Sequence, residues 1–206
     1  MSEARRGKFV TVEGVDGAGK STHLQFIADS LATNGRHVVV TREPGGTELA
    51  EQVRAIVLKE KLEPVIGTLL IFAGRADHIS RVIEPSLAAG SCVVCDRFTD
   101  ATYAYQGAGE GVPRELIERL IKDACRGLAP DRTLIFDVPY EVAAKRLASS
   151  GKKLDRFERE ERAFFDRVRN TYLAIAKAEP KRVRVIDASD DPAVIRKSIA
   201  RELAGL

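Results

Sequence analysis

"KFVTVEGVDGAGKST", residues 8–22, decides the fold. Its first seven residues are apolar enough for a strand buried on both faces, the pattern of a parallel sheet. The rest, Gly14 to Ser21, satisfies G-x-x-x-x-G-K-[ST]. Glycines in such a loop let backbone N–H groups curl around phosphate oxygens, and the following helix start adds its positive end. The expected cradle is Gly14, Val15, Asp16, Gly17, Ala18, Gly19, Lys20, Ser21 and Thr22. Lys20 is placed to bridge the outer phosphates of a nucleotide, and the Ser21 hydroxyl to ligate Mg²⁺. From Lys20 onward Leu24, Ile27, Ala28 and Leu31 recur at helical spacing, and Asn34-Gly35 marks an end. Strand, loop and helix in that order predict binding of an ATP-type nucleotide.

Outward from the loop, strands alternate with helices, which predicts an α/β fold with a parallel sheet covered on both faces. The strands are expected at 8–14, 37–43, 91–96, 132–138 and 182–188. A helix is expected from about Thr47, with Leu49, Val53, Ile56 and Val57 on one side. Residues 63–89 read as helical, and 65–74 carries more apolar positions than one buried stripe needs. That stretch is either a central core helix or one covered on its second side by another subunit. Pro113 is placed to open a helix at its first position, with Gly127 past its end. Helices are expected at 140–149 and about 158–178, and Asp191 with Pro192 is set to start the last one. Asp96, ending the strand "CVVCD", is the expected acid on Mg²⁺, acting through water. Cys92 and Cys95 form C-x-x-C within that strand, where residues three apart face opposite ways, so buried structural cysteines are expected.

The 206 residues are 44% hydrophobic and 31% charged, which suits one P-loop domain spanning 1–206. No apolar run approaches the roughly 18 residues a membrane helix needs, and the polar start predicts no signal peptide. Three cysteines make no disulfide framework, so a reducing cytoplasm is the simplest compartment. A net charge of +3 gives no reason to expect a nucleic-acid partner, and nothing suggests a membrane one. A GTPase would need N-K-x-D, which does not occur. Several arginines downstream point instead to a kinase of a small phosphorylated substrate, with a non-catalytic nucleotide switch as the distant rival.

Those arginines follow a definite order. "TREPGGT" (41–47) puts Arg42 beside a turn, where its fork suits a second phosphate. "FAGRADH" (72–78) offers the Phe72 ring and, three residues on, Arg75 on the same helical face. "DRF" (96–98) sets Arg97 beside the metal acid, and "TYAYQG" (102–107) adds a polar aromatic segment. With the basic "GKKLDR" (151–156) and the terminal "IDAS" (186–189), this order resembles the thymidylate kinases over nearly the whole chain. The resemblance implies a P-loop kinase core of five parallel strands, Mg²⁺-dependent transfer of the ATP γ-phosphoryl group to dTMP, and a homodimer. It implies that Phe72 stacks on thymine, Arg75 donates to a base carbonyl, and Arg42 and Arg97 grip the acceptor phosphate. Thr102 and Gln106 would lie near base and sugar, and Tyr105 would favour deoxyribose. Arg146 would pack on adenine, and Ala188 with Ser189 would close that pocket.

An acid inside an anion-binding loop needs an explanation. At about 5 Å, two like charges in an effective dielectric near 20 repel by about 3 kcal/mol. Asp16 either turns outward into water or, as the resemblance implies, faces the acceptor sugar and accepts from its 3′-hydroxyl. Some relatives carry an arginine just after this acid, where the present chain has Gly17. The missing cation is then expected from a small lid at about 149–157, with Arg156 as the transition-state candidate. Lys152 and Lys153 are further lid cations or a solvated basic turn.

Overall fold

The computed structural model describes residues 6–32, 35–149, 151, 155–158 and 161–206. Five strands, β1 (Phe9–Glu13), β2 (Val38–Arg42), β3 (Cys92–Asp96), β4 (Arg132–Asp137) and β5 (Val183–Asp187), form one parallel sheet in the order β2-β3-β1-β4-β5. Helices α1 (Lys20–Leu31), α2 (Glu48–Lys59), α3 (Pro64–His78), α4 (Glu84–Ala88), α5 (Thr99–Thr102), α6 (Arg114–Cys125), α7 (Tyr140–Ser149), α8 (Arg162–Ala178) and α9 (Pro192–Leu203) fill the connections. Two wide π-type segments, Ile79–Ile83 and Tyr103–Gly109, continue α3 and α5.

The central strand β1 is buried along its whole length, as its unbroken apolar run requires. Pleating sends Val10 and Val12 to one core with Val94, Leu134 and Ile186. Phe9 goes to the other, with Val93, Phe98 and Ile117. Cys92 and Cys95 divide between these two cores, both buried and unbridged, so the C-x-x-C is structural.

Asp191 caps the last helix as expected, and Thr47 caps α2. Thr47 accepts from the Ala50 N–H at 3.1 Å, and Asp191 from the Ala193 N–H at 2.8 Å ahead of Pro192. Pro113 sits one residue earlier than expected, as the cap of α6 rather than its first residue. The last long helix begins at Arg162, not near 158. The Asn34 stop signal lies outside the described residues.

α2 corrects the expected apolar side. Ala50, Val53 and Val57 face inward, whereas Leu49 and Ile56 are 47% and 42% exposed. They lie one turn-edge away from the stripe centre, where only part of the face meets α3. α3 in turn buries Ile71, Phe72, Arg75 and His78 while leaving Ile66 and Leu69 about half exposed. Its excess of apolar residues therefore serves both a core face and an outward one.

Candidate active site

All five strands end at one edge, where the loops after β1, β2 and β3 converge, the position at which open α/β sheets bind ligands. Two of the clefts there bear on the reaction. The wider has a cavity of about 590 Å³, within the range of small-molecule sites, and is lined by residues 16–23 of the phosphate loop and α1 with Arg42, Asp96, Arg146 and Ala188. The narrower is lined by Ile71, Arg75, Thr102, Tyr105, Gln106 and Phe157, among others. Asp16, Glu43, Arg54, Arg97 and Asp155 border both.

In the loop, the buried Lys20 ammonium donates to the carbonyls of Gly14 (3.0 Å) and Val15 (3.3 Å). Burial, and then repulsion from Arg97, lower its pKa, against the pull of Asp96, Asp16 and Glu13. The Asp96 Oδ1 atom is buried with no hydrogen-bond partner among the described residues, at the mouth of the cleft that Ser21 also lines. An orphaned carboxylate oxygen beside a hydroxyl is a donor pair suited to a hard divalent cation such as Mg²⁺.

Asp16 does not turn out to water. One oxygen is paired with Arg97 Nη2, and the other accepts from the Tyr105 hydroxyl at 2.8 Å. Burial would raise this carboxyl, but the Arg97 and Lys20 charges override it and hold the group below the usual carboxylate range. Conversely, burial would lower Arg97, but Asp16, with Tyr105, Tyr172 and Asp96, outweighs it and keeps that guanidinium firmly charged. Arg97 also lies over the Tyr105 ring at 4.6 Å. Its backbone is left-handed, φ 71°, at a turn pinned by Arg97 N–H to the Val12 carbonyl and Phe98 N–H to Glu13 Oε1.

Gly17 explains the absent loop arginine in steric terms. Its φ is +79°, and a Cβ there would lie 2.6 Å from the Ala143 carbonyl oxygen. No side chain fits at that position unless α7 moves away.

Arg75 is 3% exposed and fixed by Glu43, Thr102 and the Phe98 carbonyl. Phe72 does not line the narrow cleft, against expectation. It is buried with Phe9 and Phe98, its ring 4.8 Å beneath the Arg75 guanidinium, and Ile71 lines the cleft. Arg42 lines the wide cleft but is paired with both oxygens of Glu51, at 2.9 and 2.8 Å. Arg146 joins the phosphate loop to the β5–α9 turn, donating to Ala18 O (3.3 Å) and Ala188 O (2.9 Å).

Arg156 is not brought to the phosphate loop. It donates to the Val57 carbonyl at 3.0 Å and to Glu110 at 2.8 Å, and its guanidinium lies over Phe157. Lys152 and Lys153 lie outside the described residues. The arrangement adds three residues that motif reading did not single out. Arg54 on α2 borders both clefts and donates to Pro44 O at 2.9 Å. Burial, and then the charge of Arg42, lower its pKa. Glu43 and His78 stand behind Arg75, and both sat inside quoted motifs, His78 three residues after Arg75 on the same helical face.

The thymidylate kinase family model matches residues 12–199. A thymidylate kinase of Bordetella petrii is 53% identical over 201 residues, covering 98% of this chain and 97% of its own. One of Burkholderia thailandensis is 50% identical over 205 residues, covering 98% and 99%. Among solved structures, the thymidylate kinase of Ehrlichia chaffeensis superposes with a TM-score of 0.77 at 34% identity, covering 95% of this chain and 97% of its own.

Proposed function

This chain belongs to the thymidylate kinase family, and on that premise we propose how its residues divide the reaction. The reaction is transfer of the ATP γ-phosphoryl group to dTMP, giving dTDP and ADP on the way to dTTP. One observation carries the assignment: two clefts, one bordered by the phosphate loop and one by Arg75, meet across the shared Asp16 and Arg97.

ATP takes the wide cleft. The loop N–H groups and the α1 start hold its phosphates, and Lys20 turns its remaining donor to their outer oxygens. Arg146 packs on the adenine side, where Ala188 closes the turn. Ser21 and, through water, Asp96 would hold Mg²⁺, which supplies charge neutralisation between phosphate oxygens when bound. dTMP takes the narrow cleft. Arg75 reads a base carbonyl, while Ile71, in the place expected of Phe72, and Phe157 give the base apolar walls. Thr102 and Gln106 lie by base and sugar, and Tyr105 crowds the position where a ribose would carry its 2′-hydroxyl.

Arg97 is the pivot, because it borders both clefts and Asp16 balances its charge. Arg42 and Arg54 complete the cationic wall around the acceptor phosphate. Asp16, held ionised, keeps lone pairs for the sugar 3′-hydroxyl. No covalent intermediate is needed, since positioning and charge stabilisation suffice for phosphoryl transfer. Arg156 is the proposed transition-state cation, which requires it to leave Val57 and Glu110. The half-exposed Ile66 and Leu69 on α3, with Leu49 and Ile56 on α2, form the face through which a second copy would pack.

A coupled ADP-release assay over the nucleoside monophosphates tests the reading. Turnover is expected with dTMP and weakly with dUMP. ATP binding without acceptor-dependent turnover would refute it.

A further inference from the structure

Arg75 carries five N–H donors, and three are engaged inside the protein. Nε donates to Glu43 Oε2 at 2.6 Å, Nη1 to Thr102 Oγ1 at 3.0 Å and Nη2 to the Phe98 carbonyl at 3.1 Å. Two N–H groups are left for the cleft that Arg75 lines. Whether they point one way or several depends on what holds the guanidinium from behind.

Behind it stands a closed chain of buried groups. The second oxygen of Glu43 lies 3.0 Å from His78 Nδ1, and His78 Nε2 lies 2.8 Å from Thr41 Oγ1. Glu43 and His78 are 4% and 0% exposed. An ionised Glu43 can only accept, so His78 Nδ1 donates to it, and Nε2 pairs with the Thr41 hydroxyl, which can serve as donor or acceptor. Every member of the chain is then paired. At the far end Gly46, φ +90°, is so close that a Cβ would fall 2.5 Å from His78 Nε2 and 2.6 Å from Thr41 Oγ1. The Glu43 N–H is tied to the Asp96 carbonyl at 2.9 Å, which anchors the chain to β3. Cys95 completes a Glu43–His78–Cys95 cluster whose donor atoms lie within 4.8 Å. A cation there would face the Arg75 guanidinium and find both Glu43 oxygens engaged, so the cluster is a brace and not a metal site.

We propose that Glu43 and His78 are positioning residues for base specificity: they lock Arg75 so that its free N–H groups accept a pyrimidine with a carbonyl at that edge and refuse one with an amino group. The inference rests on the reading that Arg75 faces the base of dTMP. A rigid donor presented to an amino group leaves two buried donors opposed, and a site built for a hydrogen bond rejects such an analogue strongly. A guanidinium freed from Glu43 would swing aside and tolerate it.

The test compares dTMP with 5-methyl-dCMP, which carries the same sugar, phosphate and methyl group and differs at the base edge. His78→Leu removes the donor to Glu43, whereas His78→Asn keeps an N–H where Nδ1 stood. Arg75→Lys is measured in parallel, with melting temperature and the ATP KM as controls. His78→Leu is expected to raise the dTMP KM about tenfold, with kcat within about threefold, and to shrink the preference for dTMP over 5-methyl-dCMP by about tenfold or more. His78→Asn is expected to restore both. Should His78→Leu fail to fold, Thr41→Val gives the same direction at about threefold by freeing Nε2. An unchanged preference in a folded variant overturns the brace, even where Arg75→Lys alters it and leaves the base reading standing. A preference untouched by Arg75→Lys overturns the base reading and the brace together. Equal losses in dTMP and ATP KM would make the cluster merely structural and also overturn the proposal.

Discussion

Replacing Glu13 by glutamine should stabilise the protein above neutral pH. Glu13 ends the central strand with no solvent exposure, accepting from the Phe98 N–H at 2.7 Å and from the Tyr172 hydroxyl at 2.8 Å. Burial, and next the charge of Asp100, push its carboxyl from 4.5 up to about 7, although Tyr172, Arg97 and the Phe98 N–H pull the other way. The folded state thus holds a proton that the unfolded chain has released. Stability is fully present below about 4.5 and is lost as pH rises through about 7. Over that interval, at about 1.36 kcal/mol per pH unit, the loss comes to about 3 kcal/mol. Glu13→Gln keeps an acceptor for Phe98, and the Tyr172 hydroxyl can turn to accept from the amide, at a cost of about 1 kcal/mol. The net gain of about 2 kcal/mol at pH 8 corresponds to roughly 4–8 °C for a chain of this length. Thermal melts of both proteins from pH 4.5 to 8 check this, because their difference cancels the titrating groups that do not interact with Glu13. The variant should melt higher at pH 8 and no higher at pH 4.5. Parallel curves across the range, or an advantage confined to acid, would refute the reasoning.

Arg156→Ala is expected to lower kcat by about two orders of magnitude or more with a modest change in dTMP KM, as loss of a transition-state cation does. Near-normal kcat in steady-state assays would leave Arg156 as the tie between α2 and Glu110 that it forms here. Leu69→Glu should shift the protein toward monomer in sedimentation while the melting temperature stays within a few degrees, since that side chain faces outward. A wild-type chain that sediments as a monomer would return the apolar excess of α3 to other duties.

Local chemistry was legible wherever one segment suffices to specify it. The phosphate loop, the Asp191 cap and the buried β1 each depend on neighbours in sequence, and each stands where the residues put it. Helical phase was harder to read. "LLIFAG" (69–74) is apolar on every side, so its pattern cannot say whether Ile71 or Phe72 meets the cleft. Only the packing of α3 against Phe9 and Phe98 decides that Phe72 goes to the core. The acid in the phosphate loop needed a partner 81 residues away, Arg97, which no spacing rule connects to it.

Gly17 carries the same point further. From sequence it is a loop glycine where some relatives have an arginine. In the structure it is the point where α7 packs against the loop, with backbone atoms too close for any Cβ. An arginine there would need α7 displaced, and α7 carries Arg146, whose bonds to Ala18 and Ala188 tie the loop to the β5–α9 turn. The chain therefore cannot gain a cation at position 17 without loosening that connection. Charge for the transferring phosphoryl group has to come from residues that approach from other sides. Arg97, held by Asp16 at the border of both clefts, is the residue we propose for that, and the pairing is why an acid can sit in this loop.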